Sequence, residues 1–283
     1  MKKTILILAA LACTLSCDKN IEQASETNEI VFTTADSFNA TVETKATTAV
    51  TSLNSFYAMA TTGTTGSESA LWNSYKSFSK VSNDTKYTSS GVYWPAAQQS
   101  IHFYASNLMP AVSGGDVTVN ASTGTDVVCA YSASPAWKEV NQLVFNHVLA
   151  RLGKCTITAP TDYTGSDLNI TIRPKISGTY NLRTGAWSSA SEAVSNTTIT
   201  NTFGGGGTVN DIYLLPGEYT INASYTLTRG TYSESFNSSA TVELAAGKIN
   251  LISGTLPAGN ATDLQFTVTV TPWSNNSISA NFQ

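Results

Sequence analysis

An unbroken alternation of apolar and polar residues near the end of the chain constrains the fold most. In residues 264–271, Leu, Phe, Val and Val occupy every second position, with Gln or Thr between them. Successive side chains of a β-strand point to opposite faces, so this pattern predicts a strand with one buried and one solvated face. The apolar face must therefore be covered by another part of the protein.

Similar short segments recur along the chain, separated by Gly, Asn and Pro. The predicted strands cover residues 30–33, 38–42, 53–60, 91–95, 101–105, 117–119, 127–131, 155–159, 168–172, 212–215, 219–227, 240–244, 249–252 and 264–271. Only 12% of the residues are charged, and Thr, Ser, Asn and Gly fill the polar positions instead. Thr suits a pleated surface, and Gly and Asn suit tight turns. The pattern predicts an all-β extracellular protein built from sandwiches.

One segment departs from this alternation. An apolar stripe at offsets of three, four and seven residues is formed by Phe145, Val148, Leu149 and Leu152. This spacing predicts a short helix, which Gly153 would end. We place a domain boundary just before it, in the Pro-containing loop of residues 132–141. The prediction is an N-terminal β-sandwich at 30–140 and a C-terminal one at 141–283.

The start of the chain resembles a bacterial lipoprotein signal. Lys2 and Lys3 precede an apolar run, and small residues come just before Cys17. The run is too short for a membrane-spanning helix, so residues 1–16 are predicted to be a signal peptide. Cys17 would then carry a diacylglyceryl group that anchors the chain to a membrane; an ordinary secretion signal cut elsewhere is the alternative. The polar residues 17–29 predict a flexible tether.

Charge and motif content argue against several classes of function. The net charge is −4 and becomes about −6 without Lys2 and Lys3, and no basic cluster occurs, which argues against nucleic acid binding. The sequence has no nucleophile elbow, phosphate loop, calcium loop or zinc-ligand spacing. We therefore predict a protein that is not an enzyme and has no catalytic residues, cofactor or metal.

Two groups of residues leave alternatives open. Cys129 and Cys155 lie in strand-like runs, where they could form a disulfide outside the cytoplasm or remain two buried thiols. An aromatic group could stack on sugar rings if it is exposed, or could fill a sandwich core. Its members are Trp72, Tyr75, Phe78, Tyr87, Tyr93 and Trp94.

Four segments, in this order, resemble the fimbrillin-like lipoproteins of Bacteroides and its relatives, which are subunits of type V pili. They are the run ending at Cys17, residues 92–95 (VYWP) with 101–105 (IHFYA), residues 143–150 (LVFNHVLA) and residues 266–273 (FTVTVTPW). The resemblance covers nearly the whole mature chain. It implies two tandem β-sandwiches of the transthyretin-like, Greek-key type. It also implies a lipid-anchored place on the outer membrane and assembly into a fimbrium that supports adhesion.

In such pilins, an N-terminal strand first fills a groove in its own sandwich. A trypsin-like protease removes that strand after a basic residue, and the groove then accepts a strand from the next subunit. By this resemblance, the candidates for the removable strand are Ile30, Phe32, Phe38 and Val42. The candidate cleavage site is Lys45-Ala46, although an ordinary loop lysine is the alternative.

The C-terminal tail carries the candidate donor strand. Ile278, Ala280 and Phe282 alternate with polar residues, so the tail could enter a neighbour's groove or form the last strand of its own domain. The predicted partners are other pilins in a homo- or hetero-polymer, the outer-membrane lipid, a trypsin-like maturation protease, and a host or bacterial surface glycan or protein. The alternative function is a lipid-anchored tip adhesin or glycan-binding surface lipoprotein.

Overall fold

The computed structural model describes residues 28–34, 53–65, 67–82, 84–109, 115–133, 135, 137–192, 196–199, 203, 209–257 and 266–272. In this part of the chain, the all-β prediction is confirmed: there are twenty strands and one short 3-10 helix, Ala121–Thr123. The strands are β1 Phe32–Thr34, β2 Ser55–Thr62, β3 Ser69–Ala70, β4 Lys76–Lys80, β5 Lys86–Thr88, β6 Ile101–Ser106, β7 Asp116–Asn120, β8 Val128–Ala133, β9 Asn141–Leu143, β10 Asn146–His147, β11 Ala150–Thr158, β12 Thr164–Ile172, β13 Lys175–Asn181, β14 Trp187–Glu192, β15 Thr197–Ile199, β16 Val209–Leu214, β17 Gly217–Arg229, β18 Tyr232–Leu244, β19 Lys248–Thr255 and β20 Phe266–Pro272.

The first sheet encloses a single core. Its strand order is β10-β8-β6-β2-β4-β5-β1-β9, with β3 paired to β2. All neighbours are antiparallel except β1 and β9, which run parallel. Only Val144 and Phe145 separate β9 from β10, so the two ends of this order are joined by consecutive strands. The enclosed core is rich in aromatic rings and contains Phe32, Phe56, Phe78 and Phe103.

Strand β6 is buried on both faces. Ile101, Phe103 and Ala105 point into the core of the first sheet, as the alternation predicted. Tyr104 points the other way, into a separate cluster that also contains residues of β7 and of the loop after β13. These residues belong to or adjoin a three-stranded sheet of order β14-β13-β7, so the first sheet carries a second packing layer on its other face.

The second half forms a sandwich of two four-stranded sheets. Their orders are β16-β11-β19-β20 and β15-β12-β17-β18, and one apolar core draws buried residues from both sheets. Strand β20 confirms the strand predicted over 264–271 at the positions that are described. Val268 packs against the core, whereas Val270 is 46% exposed because β20 is an edge strand that pairs with β19 alone among the described residues.

The predicted short helix is wrong. Residues 146–147 form β10 and residues 150–158 form β11. The four apolar residues of the supposed stripe are all buried, but in three different cores. Phe145 lies in the core of the first sheet, Val148 and Leu149 in the cluster that contains Tyr104, and Leu152 in the core of the second-half sandwich. A bend between the short strand β10 and the start of β11 therefore produced the helical spacing, an ambiguity expected of short apolar runs.

Gly153 does not end a helix either. It lies inside β11 where the pairing with both neighbouring strands is irregular. A Cβ atom at this position would lie 2.6 Å from a side-chain carbon of Ile249, so glycine permits close approach of the two strands.

Strand pairing crosses the predicted domain boundary near residue 140. Strands β9 and β10 follow that point in the sequence but belong to the first sheet. Strand β7 precedes it but pairs with β13. The division into 30–140 and 141–283 therefore stays a prediction.

Candidate functional site

The leading strand, defined here as residues 28–34, lies between two neighbours in the first sheet. On one side, Phe32 pairs with Tyr87 in antiparallel register, and the amide of Ile30 donates to the carbonyl of Val92 at 3.0 Å. On the other side, β1 pairs in parallel with β9, and the amide of Asn141 donates to a leading-strand carbonyl at 3.1 Å. Both edges of the leading strand are thus hydrogen-bonded, as for an internal strand.

Two side chains of the leading strand fill the centre of the first core. Ile30 and Phe32 have no solvent exposure. The ring centroid of Phe32 lies 4.8 Å from those of Phe78 and Phe103 and 5.9 Å from that of Phe56, all in edge-to-face geometry. Such contacts are favoured by the charge distribution of aromatic rings. Without this strand, the first core would have an apolar slot where Phe32 now lies.

The leading strand also holds β9 in the sheet. Among the described residues, β9 has no other strand partner, whereas β5 also pairs with β4. Removing residues 28–34 would therefore expose backbone N–H and C=O groups on both sides of the slot. A buried or half-buried unpaired ladder is costly, so the slot would favour refilling by another extended segment.

The remaining sequence candidates of this kind lie outside the described residues. They are Cys17, Phe38, Val42, Lys45, Ala46, Ile278, Ala280 and Phe282. The roles assigned to them from the sequence stay predictions.

The aromatic group is part of the core at most of its positions. Trp72 and Trp94 are only 8% and 6% exposed, and Phe78 and Tyr87 are buried with them. Tyr93 points outward from the same segment and is 58% exposed. Trp72 and Trp94 therefore cannot present a stacking face to a sugar ring while the first core is closed.

The two cysteines are free thiols. Cys129 and Cys155 are both buried, and they belong to different apolar clusters. The structure therefore contains no bond between them, and the disulfide alternative is not the one found. Burial raises the pKa of each thiol to about 12, because the charged thiolate loses its hydration.

A buried carboxylate that the sequence did not indicate ties the first sheet to the three-stranded sheet. The Glu68 side chain is 8% exposed and accepts hydrogen bonds at 2.6 Å from the hydroxyls of Thr61 and Tyr104. Its other oxygen lies 3.1 Å from Nη1 of Arg183 and 4.0 Å from Nε2 of His102. Arg183 sits in the turn between β13 and β14. This cluster therefore connects the two layers through an ion pair.

The surroundings of Glu68 stabilise its charged form. Burial by itself raises the pKa of this carboxyl, but two hydrogen bonds and the charges of His102 and Arg183 more than offset that effect. Its pKa therefore lies below the usual value of 4.5. Burial, together with the hydrogen bond that Tyr104 donates to Glu68, raises the pKa of Tyr104.

The second histidine is part of another buried pair. Nδ1 of His147 lies 2.7 Å from a carboxylate oxygen of Asp126, whose side chain is fully buried. Each of the two histidines thus forms hydrogen bonds or an ion pair inside the fold. The structure brings no three His, Cys, Asp or Glu side chains together as a metal site anywhere in its described part.

The sequence places this architecture in a known family. Residues 27–273 match the family model described as fimbrillin-like. The chain belongs to the fimbrillin-like family. The matched region begins directly before the leading strand and ends directly after β20. No curated protein sequence matches the chain.

Solved structures include several with similar folds. A fimbrial protein from Bacteroides vulgatus has a TM-score of 0.55 and 14% identity, over 87% of this chain and 99% of that one. A candidate cell adhesion protein from Bacteroides uniformis has a TM-score of 0.48 and 14% identity, over 87% and 98%. The likeness to the B. vulgatus protein shows a shared fold. Within the described residues of this fimbrillin-like chain, no helix has the length and apolar character needed to cross a membrane.

Proposed function

We propose that this chain is a structural subunit of a type V-like surface pilus, exported as a lipoprotein and assembled by strand exchange. The observation that carries the proposal is the position of the leading strand. Ile30 and Phe32 are completely buried in the first core, yet they belong to a strand near the start of the chain. Membership of the fimbrillin-like family supports a structural rather than enzymatic role.

Proteolysis changes the leading strand from a tethered segment into a separate ligand. While the chain is intact, the effective concentration of the strand at its slot is high, on the order of millimolar. A cut after Lys45 removes that advantage, so the strand can dissociate and be replaced. A donor strand that makes more hydrogen bonds or buries more apolar surface than the leading strand then replaces it in the slot.

The order of residues along the chain couples maturation to release from the membrane. Cys17, the proposed lipid attachment point, precedes the leading strand, and both precede Lys45. One cut after Lys45 would therefore separate the lipid and the leading strand from the rest of the subunit together. An uncut subunit would stay attached to the outer membrane, which suits an anchor at the base of the fimbrium.

Strand exchange between identical or related subunits builds a filament. Each subunit offers a slot at the first core and, in this proposal, a donor strand containing Ile278, Ala280 and Phe282. Contacts of this head-to-tail kind do not close on themselves, so they continue from one subunit to the next. The partners would be other pilins, with a trypsin-like protease acting before assembly.

Limited proteolysis tests the proposal. The purified chain from residue 18 onward is treated with trypsin, and the products are followed by intact mass and by gel electrophoresis without heating. We expect a cut after Lys45, loss of the N-terminal fragment and a ladder of oligomers. Lys45→Gln should remain uncut there and monomeric, and a chain ending at residue 273 should be cut but form no ladder.

A different result would overturn the proposal. If the cut protein keeps its N-terminal fragment through gel filtration and stays monomeric at high concentration, then the leading strand is not exchangeable. A tethered adhesin that works as a single molecule would then explain the family membership better.

A further inference from the structure

A shallow polar groove crosses the outer face of the second sandwich. It has a volume of about 430 Å³ and lies on β12, β17 and β18, away from the leading strand. Six outward side chains form two rows across these strands: Thr171, Asn222 and Ser239 in one, Asn169, Ser224 and Asn237 in the other. Each row spans roughly 10 Å and the rows lie about 7 Å apart, from the spacings of an antiparallel sheet.

The alternation of the strands places these polar side chains on the outer face. Ile170, Ile172, Ile221 and Ala223 point inward to the apolar core, so the residues between them point outward. The pairing of β12 with β17 is irregular between Ser166 and Asn169, and Asp167 has a positive φ of 53°. Such a bulge bends a strand and redirects the next side chain, and here it borders the groove at Asn169.

Most of the polar side chains in the groove are not paired with one another. Farther along the same ladder, the hydroxyls of Thr226 and Ser235 and those of Thr228 and Ser233 face each other at 3.1 Å. In the groove, by contrast, five of the six side chains have no hydrogen-bond partner within the described structure. They are Asn169, Thr171, Asn222, Ser224 and Ser239. The groove therefore offers amide and hydroxyl groups that can both donate and accept.

Charge restricts the class of ligand. None of the residues lining the groove is charged. A second groove of about 420 Å³ shares Asn222 and adjoins the first; residues of β17 and of β13 and β14 in the three-stranded sheet line it, including two basic and two acidic side chains. There Arg173 lies 3.2 Å from Glu192, and Lys175 Nζ donates to the backbone carbonyl of Glu218 at 3.0 Å. An anionic ligand would thus find its attraction to the basic groups opposed by the carboxylates.

We propose that these joined grooves bind a neutral oligosaccharide. Sugar hydroxyls have the same mixed donor and acceptor character as the Asn, Ser and Thr side chains that face them. Two adjoining grooves that share Asn222 suit an extended chain of several sugar rings. Recognition would depend on hydrogen bonds rather than on stacking, because Trp72 and Trp94 lie in the other core. The site does not require assembly, so a chain that never polymerises would still bind.

Binding by the intact mature chain tests this proposal. The probes are neutral gluco-, manno-, galacto- and xylo-oligosaccharides, presented on an array and then free in solution for titration calorimetry. We expect at least one series to bind. Asn222→Ala, at the junction of the grooves, should weaken binding about 10-fold and Asn169→Ala about 5-fold, from the loss of one or two hydrogen bonds.

Thr228→Ala is the matched control. It lies on the same face of the same strand as Asn222 but outside the groove, and its affinity should stay within about 2-fold of wild type. Far-ultraviolet circular dichroism on all variants checks that the fold is retained. Absence of binding to every neutral probe at millimolar concentration would overturn the proposal. So would equal affinity in Asn222→Ala, or binding restricted to sulfated or sialylated glycans.

Discussion

Phe32→Ala is the substitution that tests the importance of the leading strand for the fold. The ring is fully buried and makes edge-to-face contacts with three other phenylalanines. Truncating a buried phenylalanine to alanine usually lowers the free energy of unfolding by about 3–5 kcal/mol, through lost transfer energy and the remaining cavity. The loss of three ring contacts places this position in the upper part of that range, so we expect about 4 kcal/mol. That is a large share of the total stability of an ordinary domain.

Guanidinium-induced unfolding, followed by tryptophan fluorescence, measures the loss. Trp72 and Trp94 belong to the same core as Phe32, so their emission reports on it directly. Thr33→Ala is the control, because Thr33 is the next residue of the strand but is partly exposed and lies outside the core. Its effect should stay below about 1 kcal/mol.

The size of the effect also separates two ways in which the core can respond. If residues 28–34 detach before the rest unfolds, the loss cannot exceed the free energy that holds this strand in place. Deleting residues 18–34 sets that ceiling, and Phe32→Ala should approach it. A loss under about 1 kcal/mol in Phe32→Ala, well below the ceiling set by the deletion, would refute the reasoning, because truncating a fully packed ring should cost more.

Three further results are expected. Glu68→Gln should destabilise the fold by about 3 kcal/mol at pH 7 in thermal unfolding. Because the pKa of Glu68 lies below 4.5, its charge stabilises the fold fully above pH 4.5, and this stabilisation is lost as the pH falls from 4.5 through the lowered pKa. In Glu68→Gln the free energy of unfolding should therefore depend less on pH over this acid range. The thiols of Cys129 and Cys155 are buried and their pKa values are raised to about 12, so they should resist iodoacetamide at pH 8 until denaturant is added. Mass spectrometry measures the labelling, and rapid labelling of either thiol in the native protein would contradict their burial. Gly247→Ala should lower the free energy of unfolding by about 2 kcal/mol or more, because its φ is 61° and the new Cβ would lie 2.8 Å from the backbone oxygen of His147. Gly230→Ala is the control: its φ is 62° but the space around it is open, so it should cost only about 1 kcal/mol.

Local alternation was enough to predict much of the fold. In β6, the sequence placed Ile101, Phe103 and Ala105 on one face, and the structure buries that face in the first core. The burial of Tyr104 on the opposite face was not predictable, because it depends on β7 and β13, which are distant in the sequence. Period-two patterns report on one face of a strand, whereas a second packing layer depends on long-range topology.

The predicted helix failed for a related reason. The apolar spacing at residues 145–152 predicts one face of a single helix. In the structure, the chain bends between β10 and β11, and the apolar side chains of this segment pack in three different cores. A short apolar run cannot distinguish a helix from a bend between strands, and here the tertiary contacts decide.

The candidate sites differ in how far sequence could reveal them. Alternation and the family resemblance singled out Ile30 and Phe32, which lie buried in the first core, but their role as part of a removable strand stays a prediction. The Glu68 cluster and the polar groove were not predicted, since each joins residues from several strands. Asn169, Asn222 and Ser239 look like ordinary surface residues until the cross-strand register aligns them.

The geometry around the leading strand limits what could replace it. A substitute must pair antiparallel to the segment of residues 86–94 and parallel to β9, and it must place two large apolar side chains two positions apart, as Ile30 and Phe32 do. In the C-terminal tail, Phe282 can match Phe32, but Ala280 then stands where Ile30 fills the core. A tail in that register would leave a cavity several carbon atoms in size, which costs stability. In the proposed exchange between copies of this chain, a longer ladder or a shifted register must therefore compensate for the stability lost to this cavity. A different pilin with a larger residue at this position would fit the slot directly.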